Sequence, residues 1–161
     1  MKKLTLVVSS LLIAAAGLSA QQLSTKKSLN LAVTKVIVAA AEQEAAKNHW
    51  NMFITVVDDG GTIVAIERMD EAQIGSLEVS IGKAKTALRF KRPSKVFDDL
   101  VNSGKPGLMG LGVTPVEGGI PLVADGKVIG AIGVSGGTSQ QDAQSAQAGV
   151  AAFEALLKGG K

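Results

Sequence analysis

The chain has 161 residues, with 17 lysines and arginines against 14 aspartates and glutamates, 3% aromatic residues and no cysteine. Without cysteine there is no disulfide framework and no lipoprotein attachment, and with a single histidine any zinc site would have to be mostly carboxylates. Scarce aromatics leave aliphatics and alanine to fill the core, and they exclude a stacking platform for single-stranded nucleic acid.

Positions 1–20 read as a secretory signal peptide. Met1-Lys2-Lys3 is a positive start, Leu4 to Leu18 an apolar run too short for a membrane span, and Leu18-Ser19-Ala20 a small-residue cleavage point. Removing this leader takes Lys2 and Lys3, leaving fifteen basic side chains against fourteen acidic ones. The basic balance of the whole chain is therefore no sign of nucleic-acid binding. Residues 21–161 suit one compact, exported domain, periplasmic or extracellular, with no membrane span after cleavage.

From Lys26 to about Asn48, Leu29, Val33, Val36, Ile37, Ala40 and Ala45 recur at helical spacing, and Asn48-His49 supplies the helix end. Phe53 to Val57 reads as a strand, Asp58-Asp59-Gly60-Gly61 as a turn, and Thr62 to Met69 as the returning strand. Ser76 caps a second helix with an apolar stripe of Leu77, Ile81, Ala84 and Leu88, ended by Pro93. Ser94 caps a short helix through Leu100 and Val101 that closes near Gly104. A glycine-rich loop leads to a second hairpin, Ile120 to Ala124 and Val128 to Val134, joined at Asp125-Gly126. Gly130 and Gly133 mark a strand that another backbone or a flat ligand approaches closely. Ser139 and Asp142 form a capping box for the last helix, which runs to about Leu157. Two hairpins among helices predict an α+β domain with a central antiparallel sheet covered by helices.

Gly133-Val134-Ser135-Gly136-Gly137 matches the nucleophile-elbow pattern, but the only histidine, His49, lies upstream, and an Asp-Gly hairpin makes the strands antiparallel where the elbow needs parallel ones. These residues read as a strand end and helix start. The same helix start offers amides to an anion, in competition with Asp142. Asp58-Asp59 and Asp98-Asp99 read as a turn and a solvated helix face. Lys83, Lys85, Arg89, Lys91 and Arg92 cluster on one helix, either as a solvated face or as a seat for ligand carboxylates.

A set of motifs in fixed order resembles the GlcG/HbpS family, which also forms the C-terminal domain of PduO-type proteins. The set is Val57-Asp58 with Gly60-Gly61, Arg68-Met69-Asp70, Ser76, Lys83-Ala84 with Thr86-Ala87, Arg92-Pro93, Pro106-Gly107, Gly118-Gly119 with Pro121, Gly130 to Gly136, and Asp142. The resemblance implies a profilin-like fold, a five-stranded antiparallel sheet flanked by helices, assembled as a homo-oligomer. It also implies haem, or a similar small planar ligand, as cofactor. On that reading Thr114 and His49 are the candidates for contact with iron, and Met69 and Met109 are weaker ones. Lys83 and Arg89 would hold propionates, Arg68 is either a further propionate partner or structural, and the Gly107 to Gly119 loop would let a macrocycle lie against backbone.

Three functions follow from these expectations. The favoured one is an exported haem-binding protein that scavenges or sequesters haem. The alternatives are an enzyme that degrades haem or acts on another small metabolite, and an oligomeric, non-catalytic module contacting a sensor or transport partner. No catalytic residue is assigned.

Overall fold

The computed structural model describes residues 23–159, so the leader expected at 1–20 lies outside the described residues. The elements in chain order are α1 (Leu31–Lys47), β1 (Phe53–Asp58), β2 (Ile63–Arg68), α2 (Ser76–Phe90), α3 (Lys95–Asn102), a 3-10 helix (Pro106–Leu111), β3 (Gly119–Ala124), β4 (Lys127–Ser135) and α4 (Ser139–Gly159). The strands form one antiparallel sheet in the order β2-β1-β4-β3. Four strands are present among the described residues where five were expected. Proline and glycine fold the stretch after α3 into the 3-10 helix, and Pro121, which has no amide to donate, sits on edge strand β3.

Alternation along the central strands builds two cores. Ile54 and Val56 of β1 and Ile132 and Val134 of β4 face α1 and α4, where they meet Ile37, Ala41, Ala146, Val150 and Phe153. Val57 and Ala131 face the opposite way, against Ala84 and Ala87 of α2. Register fixes both faces, since Val57 pairs with Ala131, Val56 with Ile132 and Ile54 with Val134. No described helix is long and apolar enough to cross a membrane.

The turn at Asp125-Gly126 has both residues at positive φ, 49° and 72°, as a two-residue hairpin loop of matching twist requires. Helix α1 closes with a left-handed residue: the amides of His49 and Trp50 donate to the carbonyls of Ala46 and Ala45. Helix α2 ends by the same device at Lys91, before Pro93 is reached, so left-handed backbone rather than the proline stops it. The cap expectations also change. Ser76 and Ser94 make no side-chain cap bonds. The box at the start of α4 is Thr138 with Gln141, whose side chains each accept from the other's backbone amide.

Candidate functional site

Helix α2 turns an unexpected face to the sheet. Its buried residues are Ser76, Ser80, Lys83, Ala84, Thr86 and Ala87, while the predicted stripe residues Leu77, Ile81 and Leu88 are half-buried. The cause lies in β4 and β3. A Cβ at Gly133 would stand 2.5 Å from the Ala84 nitrogen, and one at Gly119 would stand 2.7 Å from the Lys83 carbonyl carbon. The helix therefore lies on backbone, where only small or directed polar side chains fit. Ser80 shares a hydrogen bond of 2.8 Å with Thr55 and donates to the Leu77 carbonyl.

Lys83 is the largest fully buried side chain, at 0% exposure. Its Nζ donates to Asp142 Oδ2 at 2.6 Å and to the Val134 carbonyl at 3.0 Å, tying α2, β4 and α4 together. Asp142 Oδ1 accepts from the Gly137 amide at 2.9 Å. Burial lowers the pKa of Lys83 and raises that of Asp142, each shift partly offset by the attraction of the partner. Gly118, at φ 122°, passes so close that a Cβ there would lie 3.1 Å from Lys83 Nζ and 2.9 Å from the Asp142 Cβ. Lys83 was expected to hold a propionate; its ammonium is instead enclosed and committed to Asp142. Its partner lies on another helix, beyond the reach of periodicity. Asp142 likewise leaves the expected capping box, and with Gln141 it occupies the loop amides offered to an anion at the start of α4.

Along α2 toward its C-terminus, the chain ahead of β3 folds onto the helix. The Thr114 amide donates to Thr86 Oγ1 at 2.9 Å, and Arg89 Nη1 donates to the Gly112 carbonyl at 3.3 Å. The Thr114 hydroxyl occupies room that glycine provides, because a Cβ at Gly82 would collide with it. Thr114 is half-buried, and its hydroxyl makes no hydrogen bond to another described residue. Beside it the 3-10 helix and the following loop expose Met109 (57%), Leu111 (49%) and Val116 (37%). The loop thus seats Gly112 on the Arg89 guanidinium and Thr114 on Thr86, with exposed apolar side chains before and after them in the chain.

The other predicted residues lie elsewhere. His49 is exposed at the end of α1 and borders a separate cavity of about 340 Å3 with Trp50, Glu71, Gln73 and Gln141. Arg68, on edge strand β2, lies over the Phe53 ring at 5.7 Å and donates to the Ala72 carbonyl at 3.3 Å. Met69 is half-buried and packs against the larger core. Ser135 is 5% exposed at the end of an antiparallel strand, as the strand-end reading requires. Asp98, expected on a solvated face, accepts from the Glu117 amide at 3.2 Å and so helps hold the loop after Thr114, as does Ser94, which donates to the Val116 carbonyl at 2.7 Å. Among the described residues no group of three or more His, Cys, Asp or Glu is placed to hold a metal ion.

A four-stranded antiparallel sheet flanked by helices, with its polar chemistry gathered where one loop folds onto a helix, defines a small α+β domain class. Comparison with known proteins gives the particular family: the family described as "Haem degrading protein HbpS-like" matches residues 29–151, and the chain belongs to it. It is 42% identical over 114 residues to Protein GlcG of Escherichia coli strain K12, covering 70% of this chain and 85% of that protein. Protein ORFY of Klebsiella pneumoniae superposes with a TM-score of 0.78 at 34% identity, covering 86% of this chain and 99% of that one. PduOC, solved as a complex with heme, superposes with a TM-score of 0.72 at 30% identity, covering 78% of this chain and 95% of that one.

Proposed function

We propose that this protein binds haem where the Gly107 to Gly119 loop meets α2. The observation that carries the reading is the return of the loop onto α2, which seats Gly112 on Arg89 and Thr114 on Thr86, in a chain similar to a protein solved with heme. Haem is a large apolar plane with two carboxylates, and its site needs apolar walls, a cationic rim and an axial donor. Met109, Leu111 and Val116 supply the wall. Arg89, held at 3.3 Å by a single carbonyl, is the partner for a propionate. The Thr114 hydroxyl has lone pairs that no described residue uses. His49, on its own cavity, is the alternative donor.

Haemin titration followed by absorbance tests this. A saturable spectral change in the wild type, weakened in Arg89→Gln, is expected. A rise that never saturates would end the haem reading.

The setting of this activity is also proposed. The leader at 1–20 supports export, and a mature mass beginning near Gln21 is expected for protein recovered from the envelope or medium. Alanine-rich helix faces and the exposed Ile63 and Ile66 of edge strand β2 support self-association. Light scattering above the monomer mass is the expected result, and a monomer at tens of micromolar would count against it. Scavenging or sequestration of haem outside the cytoplasm is the role that fits both.

A further inference from the structure

On the other side of Arg89 from Gly112, the tips of both hairpins and the end of α2 border an open cavity of about 970 Å3, which Arg89 shares with the Thr114 loop. Its charged lining is Lys26, Lys85, Arg89, Lys91, Lys127 and one carboxylate, Asp59. Asp59 is already paired with Lys26. Lys127 donates to the Thr25 carbonyl at 2.7 Å and Arg89 to that of Gly112, neither contact neutralising a charge. Lys85 and Lys91 have no hydrogen-bonded or ion-paired partner among the described residues. Four cations from α2 and the β3–β4 turn thus face one space without a counter-charge.

Gathering like charges raises the energy of the folded state unless an anion answers them. The C-terminal end of α2 is itself unfavourable to an anion, so side-chain charge, not the helix dipole, must draw one. The lining holds no imidazole, thioether, thiol or phenol, so it has no customary donor for haem iron. Leu88, Val123 and Val128 give it an apolar floor. The volume suits an organic molecule and far exceeds one phosphate ion.

We infer that this cavity is a second ligand site, taking a small polyanion with at least two neighbouring phosphoryl or carboxylate groups. Lys85 and Lys91 grip the anion, Lys127 closes from the turn, and Asp59 is the one group that opposes it.

Isothermal titration at low ionic strength with inorganic pyrophosphate, citrate and acetate tests the inference. Saturable binding of pyrophosphate or citrate, but not acetate, is expected. Preference for the first assigns phosphoryl ligands, and preference for the second assigns carboxylates. Lys85→Gln/Lys91→Gln should weaken the binding about tenfold or more, the loss of two charge-assisted contacts. Lys35→Gln/Lys47→Gln, which removes the same charge from α1, should leave it unchanged. Asp59→Asn should tighten binding more than Glu42→Gln does. Absence of saturation with both polyanions, or equal loss in the two double variants, would overturn the inference. So would a parallel loss of haemin binding in Lys85→Gln/Lys91→Gln, because the cavity would then belong to the haem site. Retained haemin binding in that variant shows two sites.

Discussion

Replacing Asp142 by asparagine removes one charge from the centre of the molecule and almost nothing else. An asparagine oxygen can still accept from the Gly137 amide, but Lys83 Nζ is left buried with only the Val134 carbonyl at 3.0 Å. Stranding one member of a buried ion pair costs about 3–5 kcal/mol. Domains of this size have roughly 5–15 kcal/mol in total, so Asp142→Asn should lose a large share of its stability. Replacing both partners with apolar residues, as in Lys83→Met/Asp142→Leu, avoids the stranded charge and should recover most of the loss. Urea denaturation of the wild type, Lys83→Met, Asp142→Leu and the double variant, with Asp142→Asn beside them, measures the coupling directly. A loss below about 1 kcal/mol in Asp142→Asn, or a double variant as unstable as the two singles added, would refute a buried charged pair.

The same pair sets a pH dependence. Burial lowers the Lys83 pKa, so just below the ordinary lysine value of about 10.4 the unfolded chain binds the proton more tightly than the folded one. Stability should rise with pH through that window, and Lys83→Met should flatten the rise. The raised Asp142 pKa acts in the opposite sense: just above the ordinary value of about 3.9 the folded chain holds the extra proton, and stability falls as pH climbs.

Four further substitutions probe the packing and capping. Gly133→Ala should prevent native packing of α2, because the new Cβ meets backbone at 2.5 Å, whereas Gly107→Ala, with open space around it, should be neutral or stabilising by up to ~1 kcal/mol; thermal melts separate the two. Ser145→Ala should raise stability by roughly 1 kcal/mol, since the buried hydroxyl has no hydrogen-bond partner among the described residues. Thr138→Ala should cost about 0.5–1 kcal/mol in a urea melt through loss of its half of the box capping α4.

Local signals carried most of the fold. Alternating runs and Asp125-Gly126 located the hairpins, and the order of elements follows from 3.6- and 2-residue periods. Helix α2 escaped that reading because its buried face is made of serine, threonine, alanine and lysine. Periodicity weighs side chains by hydropathy, while this face was selected by closeness to glycine backbone in β3 and β4. The ion pair was hidden for a related reason: its partners lie 59 residues apart. Lys83 also sits two residues from the exposed Lys85 in one basic run, so residue type alone did not separate the buried lysine from its neighbour. At the site, the loop folds back on α2 so that Gly112 meets Arg89 and Thr114 meets Thr86, whereas His49 was singled out by type and its position serves the end of α1.

The most direct test is the spin state of ferric haem bound to the wild type, Thr114→Ala and His49→Ala, read by electron paramagnetic resonance. An oxygen donor at Thr114 gives a weak-field, high-spin signal that changes or disappears in Thr114→Ala and persists in His49→Ala. A wild-type signal that survives Thr114→Ala and is lost in His49→Ala would contradict the site proposed at α2 and move it to the end of α1.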